Sequence, residues 1–189
     1  MLRAFIAVEI DEQSKQKVLE LVSCLKKSCA DVKWLDETQM HLTLKFLGGV
    51  PADKINGISE ALSGISGAFE SFPITLSGIG VFPDLKHPAV LWLGVDKGAE
   101  SLETLNDKIE NALEKIGFQK EKRKFKPHLT LGRVKSSKNM PGLLKLIGNT
   151  SFEHKEDIKI NELSLFQSAL NPKGAIYNKL STSFFIIRH

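Results

Sequence analysis

The chain has 189 residues, 42% of them apolar and 25% charged, which is enough to bury a sizeable core as one compact domain. No stretch approaches the ~18 consecutive apolar residues of a membrane span, and the N-terminal apolar run is broken by Glu9 and Asp11, unlike a signal peptide. A cytoplasmic protein that does not engage membranes is therefore expected. The net charge of +4 tolerates an anionic partner without demanding one.

Phe5 to Ile10 reads as an apolar strand and Asp11 as the N-cap of a helix whose Val18, Leu21, Val22 and Leu25 fall at helical spacing. Cys24 and Cys29 lie five apart on that predicted helix, fit neither a disulfide framework nor a C-x-x-C pair, and are expected to be ordinary reduced thiols. The strand His41-Leu42-Thr43-Leu44 follows, then a helical segment near Ala52 to Ile65 interrupted by Gly57 and Gly64, then a strand over Pro73 to Val81. After the turn-rich Phe82 to Pro88, the same series recurs. Val90 to Val95 reads as a strand, and Leu102, Leu105, Ile109, Leu113 and Ile116 form a helical stripe closed by Gly117. The strand His128-Leu129-Thr130-Leu131 comes next, then a helical segment near Met140 to Ile147 opened by Pro141 and Gly142, then a strand over Ile158 to Phe166. Ala169 to Ile187 supplies an extra hairpin around Asn171, Pro172 and Gly174.

This is one strand-helix-strand-helix-strand unit used twice. The expectation is an α+β fold of two related lobes, formed by residues 1–85 and 86–189 of a single domain. Each lobe would carry an antiparallel sheet and outer helices, with an active-site groove about a pseudo-twofold axis between them.

The repeated tetrapeptide identifies the site. With five His and seven Thr in the chain, a chance second copy has a likelihood on the order of a few in a thousand. In a strand, His41 and Thr43 share one face while Leu42 and Leu44 share the other, and the same holds for His128 and Thr130. One face carries chemistry and the other packing.

Near neutrality one imidazole can accept a proton while its partner donates one. Each threonine hydroxyl can donate to a non-bridging oxygen, and cationic side chains offset charge growing in the transition state. Lys120, Lys122, Arg123, Lys124 and Lys126 crowd the approach to His128, Lys120 and Lys122 reading as solvated. Arg133, at the end of the strand, is placed to reach phosphate with a forked pair of donors. A phosphodiester is the natural substrate. A metal site is the weaker candidate, because two histidines without nearby carboxylates or thiols give too few ligands for tetrahedral zinc. His87 and His154 read as exposed loop residues and His189 as a mobile terminus. Neither G-x-S-x-G nor a phosphate-binding G-x-x-x-x-G-K-[ST] occurs.

The paired His-x-Thr-x motifs resemble those of the 2H phosphoesterase superfamily, and in particular its RNA 2',3'-cyclic phosphodiesterases, also called 2'-5' RNA ligases. The likeness runs through 5–9, 40–48, 80–83, 91–95, 125–133 and 165–168. Lys124 and Gly132 depart from the proline and alanine common there. The resemblance implies a bilobal α+β fold, no cofactor, no required metal, and hydrolysis of a 2',3'-cyclic phosphate at an RNA end to a 2'-phosphomonoester. It implies His41 as proton donor to the departing 3' oxygen, His128 as the base that activates water, and Thr43, Thr130 and Arg133 as substrate-binding residues. The expected partner is RNA with such an end, from tRNA halves to short oligonucleotides, acted on by a monomer. The reverse reaction would give a 2'-5' linkage. Two alternatives share the groove: an RNA-end or nucleotide-binding module without turnover, stacking bases on Phe46 or Tyr177, and a phosphodiesterase of small cyclic nucleotides.

Overall fold

The computed structural model describes residues 1–171 and 174–187. Its first half runs β1 (Leu2–Glu9), α1 (Glu12–Lys26), β2 (Val32–Trp34), β3 (His41–Val50), α2 (Ile55–Ser66), β4 (Phe72–Ile74) and β5 (Leu76–Phe82). Its second half runs β6 (Val90–Val95), α3 (Ala99–Glu114), β7 (His128–Val134), α4 (Met140–Asn149), β8 (Ile158–Ile160), β9 (Glu162–Asn171) and β10 (Gly174–Phe184).

Local chemistry sets most of these boundaries. Asp11 caps α1 by accepting from the Ser14 amide at 2.8 Å. Cys29 lies beyond that helix, in a left-handed turn at φ 55°, and both thiols are free. After α3, Gly117 takes φ +95°, and its amide bonds the Glu114 carbonyl. Helix α2 forms despite Gly57 and Gly64, because Ile58 and Leu62 are fully buried while both glycines face open space. Each late strand predicted as one piece is two: β4 and β5 part at Thr75, β8 and β9 at Asn161. Strands β9 and β10 form the expected hairpin, with Pro172 outside the described residues, as is His189.

Two antiparallel sheets result, in the orders β10-β9-β1-β3 and β2-β7-β6-β5. The runs β3-β1-β9 and β7-β6-β5 correspond strand for strand under the repeat. The lobes, however, do not divide at residue 85. Each sheet takes two strands from each half, because β5 crosses to pair with β6 and β9 crosses to pair with β1. The crossing is anchored by β4 and β8, which pair with one another about the equivalent residues Pro73 and Lys159. The leucine faces of β3 and β7, with Leu42, Leu44, Leu129 and Leu131, enter one continuous core. Helix α2 packs on β9, β10 and α3, helix α3 on β3, and α1 on α4. No helix among the described residues is long and apolar enough to cross a membrane.

Candidate active site

Strands β3 and β7 approach one another, each presenting its histidine and threonine away from the core. Both strands then bulge at the same place. Opposite β1, Lys45 pairs with Ile6 and Thr43 with Ala7, leaving Leu44 as the extra residue; opposite β6, Gly132 pairs with Leu91 and Thr130 with Trp92, leaving Leu131 extra. The bulge reverses the alternation, so Lys45 and Gly132 turn inward while Phe46 and Arg133 join the histidine face. Phe46 is 70% exposed.

The His41 ring lies in an aromatic cage. Phe5 stacks on it at 4.8 Å between centroids, Phe166 at 6.0 Å, and Tyr177 meets it edge-on at 5.2 Å. This removal of water drives its pKa down to about 4, opposed by a hydrogen bond to the backbone of Gln39. His128 meets Phe82 edge-on at 5.0 Å and Trp92 at 6.2 Å. Its Nδ1 donates to the Lys126 carbonyl at 2.7 Å, leaving Nε2 as the free nitrogen of the neutral ring. Burial pulls its pKa below the ordinary 6.5, and the positive charges of Lys126 and Arg133 pull it further, against the Lys126 carbonyl bond. Each histidine is thus tied to the backbone two residues before it.

Burial raises the Tyr177 phenol pKa while the Arg133 charge lowers it, so the guanidinium acts on the ring beside His41 as well as on His128. Arg133 forms no ion pair among the described residues and is exposed. Lys126 lies over Trp92, with Nζ 4.3 Å from the ring centroid. Lys120 turns away to Glu114 at 3.2 Å and Asn111 at 2.6 Å. His87 is exposed beside Asp84, as expected. His154 is not: it is buried, with Nδ1 donating to the Glu156 carbonyl at 3.0 Å, because its backbone amide bonds Leu76 and draws the segment against β5. Among the described residues no group of three or more His, Cys, Asp or Glu side chains gathers as a metal site.

Sequence reading missed the aromatic cage and the buried Lys45. The signal for the cage lies in the repeat, since Phe5 and Trp92 occupy equivalent places 87 residues apart, as His41 and His128 do.

Residues 13–171 match the family model of the 2'-5' RNA ligase superfamily. Among similar proteins, the RNA 2',3'-cyclic phosphodiesterase of Methanothermobacter thermautotrophicus is 36% identical over 95% of this chain and 96% of its own. That of Thermotoga maritima is 37% identical over 95% and 93%. The fold matches that of TT0787 from Thermus thermophilus with a TM-score of 0.85 over the whole of both chains, at 22% identity. It matches E. coli LigT complexed with 3'-AMP with a TM-score of 0.78, over 97% and 98% of the two chains at 22% identity. A model match over most of the chain, relatives above 30% identity across nearly its full length, and the shared fold lead to one statement: the chain belongs to the 2'-5' RNA ligase superfamily.

Proposed function

We propose that this protein is an RNA 2',3'-cyclic phosphodiesterase that opens the cyclic end to a 2'-phosphomonoester by metal-independent acid and base catalysis. The observation that carries this reading is the close approach of β3 and β7, one from each sheet, each with a histidine and a threonine on its open face and with Arg133 exposed on the face of β7 that bears His128. Relatives over nearly the full length bear that activity as their name.

In the proposed step, His128 Nε2 takes a proton from water as the water oxygen bonds to phosphorus. The P–O3' bond breaks, and His41 delivers a proton to the departing 3' oxygen. Thr43 and Thr130 donate to the non-bridging oxygens, and Arg133 offsets the growing negative charge. The sequence motif is symmetric, but the surroundings are not. Burial, with the charges of Lys126 and Arg133, disfavours the imidazolium at His128, as a base requires; His41 is also mostly neutral in the free protein and takes up its proton when the anionic substrate binds. The same site in reverse would join the cyclic end to a 5'-hydroxyl as a 2'-5' linkage, a minor reaction because the hydroxyl must be bound and oriented whereas water is abundant.

The test supplies RNA ending in a 2',3'-cyclic phosphate, in the presence of a chelator, and identifies the product. A 2'-phosphate is expected. His41→Ala and His128→Ala are each expected to lower kcat by roughly 10²- to 10⁴-fold while binding of the product persists. A 3'-phosphate product, or no turnover, contradicts the proposal, and binding without turnover of any cyclic phosphate favours a recognition module.

A further inference from the structure

Strand β2 lies along the outer side of β7, and its central residue Lys33 stands directly opposite Arg133. Residues directly opposite in an antiparallel pair point to the same face. Which face is settled by the neighbours: Val32 and Trp34 pack against the core, and a Cβ on the inward Gly132 would meet Val32 Cγ1 at 2.7 Å and Trp34 Cε3 at 3.2 Å. Lys33 and Arg133 therefore project together onto the open face that carries His128 and Thr130, and both are exposed. Among the described residues neither forms an ion pair. Like charges set opposite one another destabilise a sheet unless an anion lies between them.

The other half of the groove has no such pair. Residues 119–121 hold the place equivalent to β2, but they form no ladder with β3, and Phe46 stands where Arg133 stands on β7. On that side Lys179 lies over Phe166 but is paired with Glu9 and Glu162, so two cations opposite one another without carboxylate partners occur at the β2–β7 end.

We infer that Lys33 and Arg133 form a second phosphate subsite for the phosphate on the 5' oxygen of the terminal nucleoside, which in RNA is the internucleotide linkage. This rests on the phosphodiesterase reading above and deepens it, making the preferred substrate an oligonucleotide end rather than a mononucleotide. Strand spacing puts Arg133 roughly 8 to 10 Å along β7 from Thr130. Arg133 then stands between the reacting phosphate and its neighbour, and Lys33 takes the neighbour from the far side.

The experiment compares kcat/KM for three substrates: a nucleoside 2',3'-cyclic phosphate, a dinucleotide with the same cyclic end, and that dinucleotide with an uncharged methylphosphonate linkage. The phosphate dinucleotide is expected to exceed the other two by about 5- to 10-fold. Lys33→Met should remove most of that advantage and flatten the dependence of log KM on log salt by about one unit of slope, while Lys33→Arg preserves both. An advantage that survives with the uncharged linkage overturns the subsite, as does a Lys33→Met variant that lowers all three substrates equally or none. Wild-type protein inert towards all three overturns the phosphodiesterase reading itself, so the two failures are distinguishable.

Discussion

His41 and His128 occupy equivalent positions and differ in what surrounds them. Three aromatic rings dry the first, holding its pKa down to about 4, whereas the second is lowered by burial and by Lys126 and Arg133. Both rings are therefore mostly neutral in the free protein at pH 7. A bound phosphate brings negative charge between them and favours the imidazolium, raising both. Since kcat/KM reports the free enzyme and kcat the complex, the two profiles should separate. We expect kcat/KM to fall steadily as pH rises from 6.5 to 8, because the acid must be protonated and its pKa lies below that window, while kcat declines only at higher pH. Measured pH-rate profiles that coincide, or a kcat/KM that climbs over this window, would contradict the assignment. Alternation within each His-Leu-Thr-Leu shows directly in the sequence which side chains share the open face. The drying of one ring was not legible, since Phe5, Phe166 and Tyr177 converge on His41 from three other strands.

At the scale of elements, the paired bulges decide more than the strands do. A strict period of two would place Arg133 with Leu129 and Leu131 in the core; the extra Leu131 sends it outward, and the extra Leu44 sends Lys45 inward. Inside, Lys45 Nζ donates to Glu110 Oε2 at 2.5 Å and to the Gln119 carbonyl at 2.9 Å. Asn106, one turn earlier on α3, donates to the Leu44 carbonyl at 2.8 Å. The helix thus grips the bulge and ties it to the loop leading to His128. A buried pair of this kind is costly to break singly and cheap to replace whole. Lys45→Met should destabilise by about 3 to 5 kcal/mol through the unpaired Glu110 carboxylate, and adding Glu110→Leu should recover most of that loss in chemical denaturation. Additive losses would show that the two side chains do not depend on each other. Sequence pattern did not announce this pair, because a lysine in an apolar strand ordinarily marks a solvent-facing position.

For the whole molecule, the repeated unit was legible from its order of elements and from the two equivalent histidine strands. The allocation of strands to sheets was not. Which free strand a crossing segment joins depends on contacts far apart in sequence, and the local pattern of β5 or β9 suits either sheet. Neither half can complete a sheet alone, since β5 belongs with β6 and β9 with β1. Separate chains covering 1–86 and 87–189 should each remain largely unfolded by circular dichroism and should regain structure and turnover when mixed, with a steep dependence on concentration. A half that folds by itself would refute this account of how the sheets are shared.

The ladder between β4 and β8 marks the crossing by which each half lends a strand to the other. A polypeptide of half this length, bearing one histidine strand, would satisfy its sheet only by lending its last strand to a twin and borrowing the twin's in return. Such a swapped homodimer would already set two imidazoles across one cleft, and joining the copies end to end would make their encounter intramolecular. A single chain, unlike such a homodimer, lets the two sides differ, with phenylalanine at position 46 and arginine at position 133.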